Sequence, residues 1–120
     1  GMEMGLGAMQ AFIDSGKPLP KISGTGAMNG FNRLAMENDA QFWSKAFSPG
    51  VASECLNTTL KVLKGEKVTK FVDAEKEMPG NWTFDTANAK ETYQPTLADQ
   101  LSLGPTRMSP ADLAAAGFSR

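Results

Sequence analysis

Short apolar runs alternate with segments of helical period, each change marked by glycine or proline, and this order leaves residues 3 to 72 little choice of topology. Residues 3 to 15 place Leu6, Met9, Phe12 and Ile13 at spacings of three and four, a single apolar stripe that Gly16 terminates. Gly5 and Gly7 each cost about 1 kcal/mol against alanine inside a helix, so another backbone is expected to pass close to them. Pro18 and Pro20 force extended chain, and Lys21 to Gly24 reads as a short strand. The glycine-rich turn Gly24 to Met28 leads into a second helix with Asn29 as its N-cap and Phe31, Leu34 and Ala35 on its inner face.

Gln41 to Phe47 sets Trp43 and Phe47 on one side and Phe42 and Ala46 on the other, the pattern of a strand covered on both faces. Ser48 is placed to cap the next helix, with Pro49 at its first position. Ala52, Cys55, Leu56, Thr59, Leu60 and Leu63 form its buried stripe, and Gly65 ends it. Val68 to Val72 alternates as a third strand. Strands alternating with helices imply parallel pairing through right-handed crossovers, hence an α/β fold with a short parallel sheet flanked by helices.

Composition narrows the function. The chain has 120 residues, 41% of them hydrophobic, enough for one modest core, and a formal charge of -1. Lys and Arg are scattered rather than gathered into a stripe, which argues against nucleic acid as a partner. No apolar run approaches the roughly 20 residues that cross a bilayer, so the chain is not expected to be membrane-embedded, and no charged segment followed by an apolar one opens it. Histidine is absent, which removes Ser-His and Cys-His nucleophile pairs and imidazole metal sites. Catalysis is not expected. Cys55 reads as a small buried hydrophobe, and Asp73 with Glu75 as a solvated strand edge offset by Lys70 and Lys76.

In open parallel sheets ligands bind beyond the carboxyl ends of the strands, where helix N-termini present unpaired N–H groups. Two loops qualify here, 24 to 29 and 47 to 50. Thr25, Asn29, Phe47 and Ser48 are their candidate ligand-binding residues. A neutral polyol suits such a rim, because hydroxyls both donate and accept, and Phe47 offers an apolar wall to a sugar's C–H face. Core packing is the competing role for Phe47, and helix capping the competing role for Asn29. Trp82, further along, either stacks on the ligand or anchors an irregular segment.

The order Met4-Gly-Leu-Gly-Ala8, Ile22-Ser-Gly24, Asn29-Gly-Phe31, Ser48-Pro-Gly50 and Leu63-Lys-Gly-Glu-Lys-Val68 resembles the C-terminal lobe of the periplasmic sugar-binding proteins that feed bacterial ABC importers, the ribose-binding-like group. The resemblance covers about residues 2 to 76. It implies a truncated three-layer lobe of the type I periplasmic-binding-protein fold, a sugar or small polyol as ligand, an ABC permease as partner, no catalytic residues, no cofactor and a periplasmic location. Many such proteins carry an Asp after the second strand's glycine and a Gln at the end of the next strand. This chain has Thr25-Gly-Ala and Phe47 there, with Asn29 as a stand-in for the carboxylate. The Asn-Asp pair that would precede the first helix is replaced by Gly1-Met2, so the resemblance implies that the chain is a fragment.

Residues 1–78 thus read as the lobe fragment and 79–120 as a C-terminal tail, loosely held, with Ser109-Pro-Ala-Asp112 capping a short terminal helix over 110 to 116. Two other readings stand beside the importer component: the effector-sensing domain of a sugar-responsive transcription repressor, and an α/β interaction domain that binds nothing small. An incomplete lobe exposes a sheet edge and an apolar helix face, so self-association is expected.

Overall fold

The computed structural model describes residues 1–120 apart from Pro79 and Arg107, so the change of sequence character at Pro79 lies outside the described residues. The elements in chain order are α1 (Met2–Asp14), β1 (Ile22–Thr25), α2 (Asn29–Glu37), β2 (Phe42–Lys45), α3 (Val51–Leu63), α4 (Ala74–Glu77), β3 (Thr83–Asp85), α5 (Ala89–Thr92) and α6 (Pro110–Leu113), which runs on as a wider turn, Ala114–Phe118.

The class is mixed α/β, and among the described residues three strands lie in the order β1-β2-β3. β1 and β2 are parallel, Ile22 opposite Phe42 and Thr25 opposite Lys45. The third strand is not Val68 to Val72. Those residues are exposed and irregular, and β3 pairs antiparallel with β2 instead, Phe84 opposite Ser44. Val68 and Val72 have no inner surface to bury against, whereas Phe84 fills the space beneath β2 and is 1% exposed. Asp73 and Glu75 leave the expected strand as well: the Asp73 carboxylate accepts the Glu75 N–H at the start of α4, and Glu75 pairs with Lys45 at 2.6 Å.

One face of the sheet is covered. α1 packs on α2 and β1, α5 packs on α2, and the core between them and the sheet holds Met2, Met9, Phe31, Leu34, Phe42 and Phe84. Phe31 and Phe42 meet edge to face, ring centroids 5.0 Å apart. The anticipated close approach at α1 is made by side chains: a Cβ on Gly5 would lie 3.2 Å from the Phe31 ring, and one on Gly7 would meet nothing. The other sheet face is open among the described residues except at Lys45, which Glu75 of α4 meets. Trp43 is 50% exposed and Phe47, on the same side just past β2, is 74% exposed, so β2 is not covered on both faces as its pattern implied.

α3 departs furthest from expectation. It forms where the periodicity places it, but none of its residues is buried. Leu56, Leu60 and Leu63 stand in solvent, and so does Cys55, because the short α4 is the element packed against this helix and cannot cover its stripe. The radius of gyration is 16.8 Å, against about 14 Å for a compact chain of this length.

The segment from residue 80 is built into the fold rather than loosely held. It supplies β3 and the buried side chains of Phe84, Ala89, Leu97 and Leu101. Its end doubles back: Ala98 N–H donates to the Phe118 carbonyl at 2.8 Å and Arg120 N–H to the Thr96 carbonyl at 3.0 Å. The terminal capping box forms as the sequence implies, with Asp112 N–H donating to Ser109 Oγ and Ser109 N–H to the Asp112 carboxylate.

Removing the Phe31 ring empties the centre of this single layer of core. Phe31→Ala is expected to cost about 3–5 kcal/mol, and Met4→Ala, at an exposed position of α1, under about 0.5 kcal/mol. Urea midpoints of the two variants check the contrast, and equal shifts would place the core elsewhere.

Candidate functional site

Parallel pairing of β1 and β2 brings the two following turns to one edge of the sheet. They are bonded to each other there. Gly26 N–H donates to the Lys45 carbonyl at 2.7 Å, and the hydroxyl of Ser44, wholly buried, donates to the Gly26 carbonyl at 2.8 Å. Ala46 N–H continues the ladder to the Trp82 carbonyl at 2.7 Å.

The start of α2 faces this rim, and its first two N–H groups, those of Asn29 and Gly30, are taken. Met28, not Asn29, is the N-cap residue; its backbone is extended (φ -134°, ψ 131°) and bridges antiparallel to Ser102. Asn29 N–H donates to the Leu101 carbonyl and Gly30 N–H to the Asp99 carbonyl, both at 2.9 Å, while Leu103 N–H donates to the Ala27 carbonyl at 3.1 Å. Residues 99–103 thus lie across the helix start, where unpaired donors would otherwise await a ligand. Glycine at position 30 permits this approach, since a Cβ there would sit 2.8 Å from Asp99 Cβ.

Asn29 is 0% exposed, and its amide is spent on the same tail. Nδ2 donates to the carbonyls of Gln94 (2.8 Å), Leu97 (2.9 Å) and, at longer range, Ala98 (3.4 Å), and Gln94 N–H returns a bond to Oδ1 at 2.9 Å. Its role is therefore neither helix capping by its side chain nor an open polar contact at the rim. Ser48 is nearly buried as well: its hydroxyl donates to the Pro105 carbonyl and accepts Gly50 N–H, and α3 begins two residues later than the expected cap implied, with Gly50 as N-cap. Trp82 is half-buried with Nε1 donating to the Met78 carbonyl at 3.3 Å, an anchor for the turn before β3. Thr25 and Phe47 remain open to solvent at the ends of β1 and β2.

A cavity of about 580 Å³ lies beside this rim, between the Ser48 turn and the tail. Met78, Leu101, Met108, Leu113 and Phe118 line it, with Gln100, Ser102 and Thr106 as polar points. Its walls offer apolar contact and a few hydrogen bonds. No grouping of three or more Cys, Asp or Glu side chains suited to a metal ion occurs among the described residues.

Sequence reading missed Ser44, which ties the turn after β1 to β2, and the groups that fasten the tail, Asn32 and Asp99. Asn32, 1% exposed, donates to Thr92 Oγ1 at 2.8 Å. Asp99 receives Arg33 at 3.0 Å and Arg120 at 3.1 Å, and Arg120 also donates to the Tyr93 hydroxyl at 2.8 Å. Their partners lie more than twenty positions away in most cases, so local periodicity carried no trace of them. The Arg33 hydrogen bond holds the Asp99 carboxyl below its ordinary 3.8, partial burial opposes this, and the charges of Arg33 and Arg120 add to the lowering.

No family model, curated protein or solved structure matches this chain.

Asn29→Ala leaves several tail carbonyls without a donor, at an expected cost of about 1–3 kcal/mol, while Thr25→Ala is near neutral. Hydrogen exchange at the amides of Gln94 and Leu103 should accelerate in Asn29→Ala; unchanged protection would deny the amide its fastening role. Because the folded Asp99 is the stronger acid, its contribution to stability is present above pH 3.8 and is lost as pH falls through its lower folded value. Comparing urea midpoints at pH 7 and in acid, Asp99→Asn is expected to lower the first and shrink the drop between them.

Proposed function

We propose that this chain contributes the C-terminal lobe of a type I solute-binding protein, exported to the periplasm, which captures a sugar or small polyol and delivers it to an ABC permease. One observation carries the proposal: β1 and β2 run parallel and in register, so the turns bearing Thr25 and Phe47 share an edge. That is the place where open α/β sheets take ligands.

The rim's chemistry is neutral. Lys45, the charged residue that ends β2, is paired with Glu75 at 2.6 Å, which favours an uncharged ligand over an anion. Phe47 presents an open aromatic face suited to the C–H side of a sugar ring, and the concavity beside Ser48 adds hydroxyl and amide groups within reach of the same edge. Asn29 and Ser48 enter this reading as positioning residues, since their polar groups are engaged by the tail. No proton-transfer step is invoked: the residues bind, orient and release.

A second reading, an α/β interaction domain with no small ligand, draws on the exposed apolar stripe of α3. The two are separable. Isothermal titration with a panel of pentoses, hexoses and polyols is expected to find weak, saturable binding of at least one member, near 1 mM or about -4 kcal/mol, because one lobe alone cannot enclose the ligand. Phe47→Ala should abolish it. Absence of binding across the panel would favour the interaction domain, and binding as tight as a closed two-lobed site would refute the dependence on a second lobe.

A further inference from the structure

Two apolar surfaces of this chain lack a cover, and they match. α3 offers Leu56, Leu60 and Leu63 along 13 residues, exposed by 59%, 45% and 77%. The outer sheet face offers Trp43 and, at its rim, Phe47, exposed by 50% and 74%. A parallel strand pair is ordinarily covered by helices on both faces, and here one layer is absent.

Within one copy the helix is held away from that face. The Ser48 hydroxyl ties the turn before α3 to the Pro105 carbonyl and to Gly50 N–H, and the Met78 side chain abuts Gly50. Beyond the helix, α4 packs against it and Glu75 is clasped by Lys45. The chain therefore projects α3 outward, in a molecule 60 Å long and 21 Å across.

We propose that two copies of this chain pair reciprocally, each laying α3 across the outer sheet face of the other. The chain as a whole has surface to spare for such an interface. The accessible surface is 7687 Å², roughly 1,400 Å² above the ~6,300 Å² of a compact monomer of 12.8 kDa, and a stable interface buries about 800 Å² per partner. Reciprocity satisfies both surfaces at once and closes the assembly at two copies, so no apolar face is left to propagate. Charge is complementary in sign: Lys61 and Lys64 stand at the end of α3, and Asp85 sits opposite Trp43 on the outer side of β3. The inference needs no sugar, and a dimer that covers Phe47 competes with a sugar for that ring.

Light scattering and sedimentation of the 120-residue chain over a wide concentration range test it. The expected mass is twice 12.8 kDa. Leu56→Glu with Leu60→Glu on the helix, and separately Trp43→Lys on the sheet, should each weaken dimerisation by about tenfold or more while leaving the circular dichroism spectrum unchanged, because all three positions are exposed in the single copy. Mixing the two variants restores one intact helix-on-sheet contact, so heterodimer should reappear. A monomer at every concentration would overturn the proposal. So would a dimer indifferent to Trp43→Lys, which would place helix against helix, or folded variants that fail to associate when mixed.

Discussion

The carboxamide of Asn29 is buried where the start of α2 meets the chain's last quarter, and the architecture depends on its being satisfied there. An amide left unpaired in such a position costs about 1–3 kcal/mol, a large share of the stability of a small domain. Only the tail supplies the matching carbonyls and the Gln94 N–H. Once those bonds form, Leu101, Asp99 and Leu103 fall into place against the helix start, and Asp99 comes within reach of Arg33 and Arg120. The hydrophobic core under the sheet is small, so this polar fastening is part of what makes the fold unique rather than an ornament on it.

The same arrangement reshapes the rim. Strand-end loops and a helix N-terminus are a familiar setting for ligands, but here the Asn29 and Gly30 N–H groups that open α2 are committed to Leu101 and Asp99. What stays open is the outer edge: Thr25, Phe47 and the hollow bordered by Ser48 and the tail. Recognition at such an edge rests on surface shape and aromatic contact more than on an enclosed hydrogen-bond network.

Much of the element order was legible. α1, β1, α2, β2 and α3 lie within a few residues of where period, proline and glycine put them, because each signal there is local. Burial was not legible for α3. Its stripe of Leu56, Leu60 and Leu63 has the period of a packed helix, but periodicity reports that an apolar face exists, not that the same chain covers it. Val68 to Val72 alternates like a strand for the same reason, while Thr83–Asp85, three residues in an irregular segment, pairs with β2 because Phe84 has a cavity to fill. Asn29 was legible as a residue of consequence and misread in kind, since its partners lie 65 to 69 positions away.

That separation has a consequence for how the molecule is made. Asn29 leaves the ribosome long before Gln94, Leu97 and Ala98 exist, and Arg120, which clasps Asp99, follows later still. Through most of synthesis the nascent α2 carries a thirsty amide and bare donors at its tip. Contacts of such long range make for slow assembly, so the growing polypeptide spends its infancy half-docked until residues 94–120 have emerged and the knot of polar bonds draws shut.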